Sequence, residues 1–235
     1  GSEHTEVIIT EKDVLGAEIA VLRQMGVEFR CNVEVGKDVT LAQLKAQGYK
    51  AFYLAIGLQG GRKAGVPGED AEGVESGIAF LNRVNRDHSI RLSGDVVVVG
   101  GGNVAVDVAR TAARTTGGQV TMLCLESEAE MPAAKDEVEE AKEEGIAVMN
   151  GWGPKEVLTS GGKVIGIVFK RCTSVYDAEH RFSPTYDEND AITLPCSTVL
   201  QAIGQSAVWG KLLEGTKVEL NRNGTVVHDP VTFET

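Results

Sequence analysis

An α/β fold, in which a doubly wound parallel sheet carries a small antiparallel meander and sits within a partial second α/β lobe, is what this sequence predicts. Three observations predict it. The run Val96–Val99 is apolar without alternation, as a strand buried on both faces must be. A glycine triplet, Gly100–Gly102, follows it directly and opens onto the helix-forming stretch Asn103–Arg114. Short apolar runs then alternate with charged helical segments, the order from which parallel sheets are built.

Taken in order, Val14, Ile19, Leu22 and Met25 stand at near-helical spacing and predict an amphipathic helix over Ile9–Met25, closed by Gly26. Val27–Cys31 reads as a short strand, Thr40 opens a helix with Leu41 and Leu44, and Ala51–Ile56 reads as a buried strand. Residues 57–73 concentrate Gly, Pro and charge and are expected to cross between lobes. A helix over Val74–Arg86 precedes the valine strand. Beyond Arg114 come strand Gln119–Leu125, charged helix Ala134–Glu144 and strand Ile146–Met149. From Lys155 the period changes to two, so Val164–Lys170 and Ala191–Leu200, flanking a turn-rich Tyr176–Asp190, predict the meander. The domain division expected is 93–204 for the parallel sheet, with 3–92 and 205–235 forming the other lobe.

Composition excludes several classes. With 235 residues, 42% of them hydrophobic, the chain has room for one sizeable core or two small ones. A formal net charge of -11 disfavours nucleic acid and anionic membranes, whose affinity comes from phosphates neutralised by Lys and Arg. No apolar run approaches the length of a membrane span and nothing resembles a signal peptide, so a cytoplasmic location is expected. The four cysteines are scattered without a C-x-x-C, and the four histidines are isolated, so no metal site is expected. The acidic helix Asp136–Glu144 reads as a solvated face, because metal carboxylates need convergence from several elements.

Gly100-Gly101-Gly102-Asn103-Val104-Ala105 matches the Gly-x-Gly-x-x-Gly/Ala fingerprint of a Rossmann-like dinucleotide-binding fold, and it lies between a strand and a helix, where that pattern has physical meaning. Gly100 permits the tight turn, Gly102 lets the backbone approach a pyrophosphate, and Ala105 lets the helix pack closely on the strand. The helix then offers free N–H groups and about half a positive charge to phosphates. Glu126 ends the next strand, 24 positions after Gly102, where a carboxylate can accept hydrogen bonds from the adenosine ribose. Against a 2′-phosphate it would cost about 4 kcal/mol per charge at about 4 Å in an effective dielectric of 20, which predicts NAD(H) over NADP(H). The bland alternative is that Glu126 begins a solvated acidic loop with Glu128 and Glu130. Asp107 caps a loop or orients the cofactor, or is an ordinary polar helix position. Arg110 and Arg114 read as a solvent-facing stripe. No catalytic residue is assigned.

Several phrases resemble one family: Gly100–Asp107 (GGGNVAVD), Glu130–Ala133 (EMPA), Glu137–Gly145 (EVEEAKEEG), Val66–Asp70 (VPGED) and Gly26–Asp38 (GVEFRCNVEVGKD). Together they span nearly the whole chain and are similar to the small subunit of glutamate synthase and its relatives. These are flavoproteins with two dinucleotide-binding domains, also found fused in dihydropyrimidine dehydrogenase. The resemblance implies a nicotinamide domain inserted in a flavin-type lobe, with hydride passing from NAD(P)H to FAD and electrons onward to an iron-sulfur domain or partner subunit. It also marks Ala55–Gly57 together with Ala202, Ile203 and Gly204, where the chain crosses between the two domains, as near-cofactor positions.

The sequence also departs from that family. Members that use NADPH carry arginines before the Met-Pro, where this chain has Leu125, Glu126 and Glu128, so NADH is again expected. The FAD fingerprint expected before Glu6 and the flavin motif expected after Thr235 are not within the chain. The expectation is therefore a piece of a larger flavoprotein, without bound FAD and inactive alone, whose uncovered sheet edge and apolar surface favour a homodimer. A non-catalytic NAD(H)-binding regulatory module is the alternative. A short-chain dehydrogenase is weaker, since no Tyr-x-x-x-Lys pair is present.

Overall fold

The computed structural model describes residues 3–235, with residues 3–12 as helical backbone only. In chain order the elements are α1 (Glu3–Gln24), α2 (Leu41–Ala46), β1 (Gly60–Gly61), β2 (Val74–Ser76), α3 (Gly77–Arg86), β3 (Val96–Val99), α4 (Asn103–Thr115), β4 (Val120–Cys124), α5 (Lys135–Glu143), β5 (Ala147–Asn150), β6 (Trp152–Ser160), β7 (Lys163–Tyr176), β8 (Phe182–Pro195), β9 (Thr198–Gln201) and β10 (Gln205–Ser206). The chain divides into two compact units. One joins Gly1–Tyr53, Trp209–Glu219 and Val226–Thr235; the other joins Leu54–Val208 and Leu220–Thr225.

The larger unit is built on a five-stranded sheet of order β2-β9-β3-β4-β5 in which every pairing is parallel. Chain order runs outward from β3 through β4 to β5, then returns to the other side of β3 as β9, the reversal that defines a doubly wound sheet. The four valines of β3 explain its central place. Val96 and Val98 enter a core shared with α3, α4 and α5, whereas Val97 and Val99 enter a second core shared with β6 and β7. All four are at most 3% exposed, and each contributes about 1.5–3 kcal/mol of burial. One face of the sheet thus carries helices, and the meander covers the other in their place.

Helix α4 packs closely because its inner stripe is small. Ala105, Val108, Ala109 and Ala112, at i, i+3, i+4 and i+7, are all fully buried. On its outer side Arg110 pairs with Glu140 and Glu144 of the α5 region at 2.9 and 2.6 Å, and Arg114 joins Glu144 at 2.7 Å. The arginine stripe therefore ties two helices together rather than facing solvent alone.

Several expectations are corrected. Val27–Cys31 and Ala51–Ile56 form no strands; among the described residues the smaller unit contains α1, α2 and an isolated Val35–Val39 bridge. A β-strand exists only where a neighbour offers ladder partners, and apolar pattern alone supplies none. Helix α1 forms, but Val14, Leu15, Val21 and Leu22 are exposed, so these four are not covered. The segment Val74–Arg86 begins as a strand, with Val74 opposite Val199, and is part of the five-stranded sheet. Most of Tyr176–Asp190 is strand β8, an antiparallel edge whose polar residues alternate toward solvent, and the turn occupies only 177–181. The stretch Thr198–Leu200 belongs to the central sheet, not the meander. Strand β6, barely anticipated, pairs with β7 as the third meander strand.

Candidate functional site

A cavity of about 770 Å³ opens at the carboxyl ends of β3, β4 and β9. This is the switch point of the sheet, where chain direction along the strand order reverses and no crossover connection covers the strand ends. Its lining includes Gly100, Gly101, Gly102, Asn103 and Val104 from the bend, Glu126 from the end of β4, and Ala202, Ile203 and Gly204 from the end of β9. Nine of the residues singled out in the sequence thus converge on one space, from three separate stretches of chain.

The three glycines of the bend differ in what surrounds them. Gly100 has φ +145°, and a Cβ on it would lie 2.4 Å from the Ala202 carbonyl oxygen. Only glycine fits that turn. A Cβ on Gly101 would meet Cys124 Cβ at 2.8 Å and Glu126 Oε2 at 2.9 Å, so the Glu126 carboxylate stands directly against the bend. Gly102 differs: a Cβ there would meet nothing within 4 Å. It is the N-cap of α4, and no side chain accepts from the first amides of that helix. An open N-cap, uncapped amides and a positive helix end fit a phosphate group.

The bend is braced by the segment that carries the Met-Pro phrase. Ala133 N–H donates to the Gly101 carbonyl at 3.0 Å, and Ala134 N–H donates to Asn103 Oδ1 at 2.8 Å. Asn103 therefore has a structural task as well as a place in the lining. Ala105 is buried behind the bend, its methyl close to Gly100, and serves packing rather than contact with a ligand. Asp107 is exposed on α4 and is not part of the cavity wall, so its ordinary polar reading is the one the geometry supports. Gly151 N–H donates to the Glu126 carbonyl at 3.0 Å, fixing the chain from which that carboxylate extends.

Beneath the bend lies Cys124, its thiol pushed up to about 12 by burial first and by the Glu126 carboxylate second. It is a filler with no nucleophilic role at neutral pH. Among the described residues no group of His, Cys, Asp and Glu is placed to hold a metal ion, and no helix is long and apolar enough to cross a membrane.

Sequence reasoning missed part of the wall. Arg62 and Lys63 line the cavity from the Gly-rich connection, where the Arg62 N–H donates to the Gly204 carbonyl at 3.1 Å. Lys63 is paired with Asp70. The signal available was a basic pair flanked by glycines, GGRK, inside a stretch read as a linker. Trp152, Pro154, Phe182, Pro184 and Tyr186 come from the meander. Their distance in sequence from the fingerprint left nothing to connect them to it. Trp152 also carries the Arg171 guanidinium 3.7 Å above its ring.

The chain is similar to several known proteins. The chain is 37% identical over 228 residues to the beta subunit of an NADP-dependent formate dehydrogenase from Moorella thermoacetica, covering 95% of this chain and 32% of that one. It is 33% identical over 213 residues to a subunit of the NAD-dependent dihydropyrimidine dehydrogenase of Escherichia coli, covering 90% and 46%. With the small chain of NADPH glutamate synthase from the same species it shares 30% over 230 residues, 92% and 48%. The chain thus spans about a third to a half of the length of these relatives. The fold is similar to that of Mycobacterium tuberculosis FprA solved with NADPH, at a TM-score of 0.62 and 20% identity, over 81% of this chain and 56% of that one. Residues 5–232 match the family described as pyridine nucleotide-disulphide oxidoreductase, and with the glycine bend seated at the switch point of its sheet the chain belongs to that family.

Proposed function

We propose that the cavity binds a nicotinamide dinucleotide, with the pyrophosphate at the Gly100–Gly102 bend, the adenosine ribose at Glu126 and the nicotinamide half toward Ala202–Gly204. The observation that carries this reading is the open N-cap at Gly102, where free space meets helix amides that no side chain caps. The chain's own residues bind and orient. The first turn of α4 receives phosphate charge, Arg62 and Lys63 add positive charge along the wall, and Glu126 accepts from ribose hydroxyls. NADH is preferred, because a 2′-phosphate would stand beside the Glu126 carboxylate. Relatives are named for NAD and for NADP, so the local charge decides.

In this reading residues 93–204 hold the dinucleotide, while 3–92 and 205–235 belong to a flavin-type lobe of a longer cytoplasmic flavoprotein. When bound, the reduced nicotinamide supplies a hydride for FAD, from which electrons continue to an iron-sulfur domain or partner subunit. Titration of NADH and NADPH against the fluorescence of Trp152, which lines the cavity, tests the reading. Saturable binding of NADH in the wild type and its loss in Gly102→Val are expected. A wild-type chain that binds neither nucleotide refutes the proposal.

A further inference from the structure

One wall of the cavity comes from neither the glycine bend nor the ends of the parallel strands. Strand β8 contributes Phe182, Pro184 and Tyr186, alternate residues that share one face of the strand. The Tyr186 ring lies against the chain at the start of the meander. A Cβ on Gly153 would meet Tyr186 Cε1 at 2.5 Å and Leu125 Cδ2 at 2.8 Å, so ring, Leu125 and the Gly153 backbone are in contact distance of one another. Leu125 immediately precedes Glu126. Tyr186 and Glu126, to which the dinucleotide reading gives the adenosine ribose, line the same cavity.

The ring is also held in place without a ligand. Lys170 Nζ lies 4.2 Å from its centroid, and Lys170 is itself fixed by Glu188 at 2.7 Å. Further along the strand Phe182 is 66% exposed, an unusual position for a phenyl ring, and makes an edge contact with Tyr176 at 6.4 Å. The neighbourhood is acidic, with Glu126, Glu128 and Glu130 in the adjoining loop. A neutral, flat heteroaromatic ring suits such a wall, whereas a further phosphate does not.

We propose that Tyr186 supplies an aromatic rail on β8 on which the adenine ring of the dinucleotide stacks; Phe182, four residues and about 13 Å along the strand, lies beyond the reach of one base. This rests on the dinucleotide reading and extends it: the meander, besides covering the sheet, determines that the ligand carries a purine at the Glu126 end. The pyrophosphate then lies at the bend in the middle of the cavity, and the nicotinamide half at the Gly204 end. A base stacked on an aromatic side chain gains affinity whatever its hydrogen-bonding edge, so the rail selects a planar base and leaves ribose discrimination to Glu126.

The test uses the chain with three variants, Tyr186→Ala, Tyr186→Phe and Phe182→Ala, titrated calorimetrically with NADH, 5′-AMP and inorganic pyrophosphate. Tyr186→Ala is expected to weaken NADH and 5′-AMP alike by about tenfold, with pyrophosphate unchanged. Tyr186→Phe keeps the ring and stays within about twofold of wild type, and Phe182→Ala, at an exposed position beyond the reach of the base, also stays within about twofold. If Tyr186→Ala binds 5′-AMP as the wild type does, if Phe182→Ala weakens 5′-AMP as much as Tyr186→Ala, or if pyrophosphate affinity falls in step with 5′-AMP, the rail is overturned. Wild-type NADH binding in that same experiment leaves the dinucleotide reading standing, whereas a wild type that binds no dinucleotide removes both.

Discussion

Replacing Glu126 by glutamine removes the carboxylate beside the glycine bend while keeping its shape and its half-buried position, and the size of the effect follows from where it stands. Its oxygen is 2.9 Å from the site of a Gly101 Cβ, so a ribose seated on the bend places a 2′-substituent at about 5 Å. In an effective dielectric of about 40, appropriate to a half-exposed group, each phosphate charge at that separation costs about 1.7 kcal/mol. A phosphate monoester carrying about 1.5 negative charges is thus opposed by about 2.5 kcal/mol, or about 70-fold in affinity. Glu126→Gln is expected to tighten NADPH by about that factor and to weaken NADH by about fivefold, as a charge-assisted hydrogen bond to the ribose becomes a neutral one. Both dissociation constants are measured by calorimetry at low ionic strength, then again at high salt, where the change in NADPH affinity should shrink. An unchanged ratio of NADPH to NADH affinity in the variant would refute the placement of the ribose at Glu126.

The glycines of the bend should separate stability from binding. Gly100→Ala puts a methyl 2.4 Å from the Ala202 carbonyl at φ +145°, so a loss of more than about 3 kcal/mol is expected in urea melts. Gly102→Val meets open space and should melt within about 1 kcal/mol of wild type while losing NADH; equal destabilisation of the two would contradict the assignment. Arg110→Ala breaks the partly buried pairs with Glu140 and Glu144 and should cost about 1 kcal/mol without touching nucleotide affinity, seen as a small fall in Tm. Burial raises Cys124 from 9.0 to about 12. Its thiol is neutral in the fold, so its contribution is full below pH about 9 and lost as pH rises toward about 12. Alkaline unfolding should soften in Cys124→Ala, and alkylation followed by mass spectrometry at pH about 8 should label exposed Cys31 well before Cys124.

How much was legible varied with how local the cause was. Val96–Val99, Gly100–Gly102 and the Ala105/Ala109/Ala112 stripe each obey rules that act within a few residues, and strand, bend and helix stand where those rules put them. Glu126 was legible through its spacing from the bend. Val27–Cys31 and Ala51–Ile56 carried the same apolar signal as true strands, yet pairing is a property of two segments, and among the described residues neither pairs with another strand. Asp107 was a candidate only because it adjoins the fingerprint; helical periodicity turns it to the exposed side of α4.

By itself, then, the sequence determined the turn chemistry, the buried central strand and the acidic group near the glycine bend, because sterics and periodicity are written over short spans. Only the tertiary structure decided which distant segments close the space around that bend. Arg62 and Lys63 reach it through the pairing of β1 with β10, and Phe182 and Tyr186 reach it because the meander packs on the face of the sheet that the helices leave free. Contacts between residues far apart in the chain depend on how whole layers bury their apolar faces, and no local pattern encodes the partner.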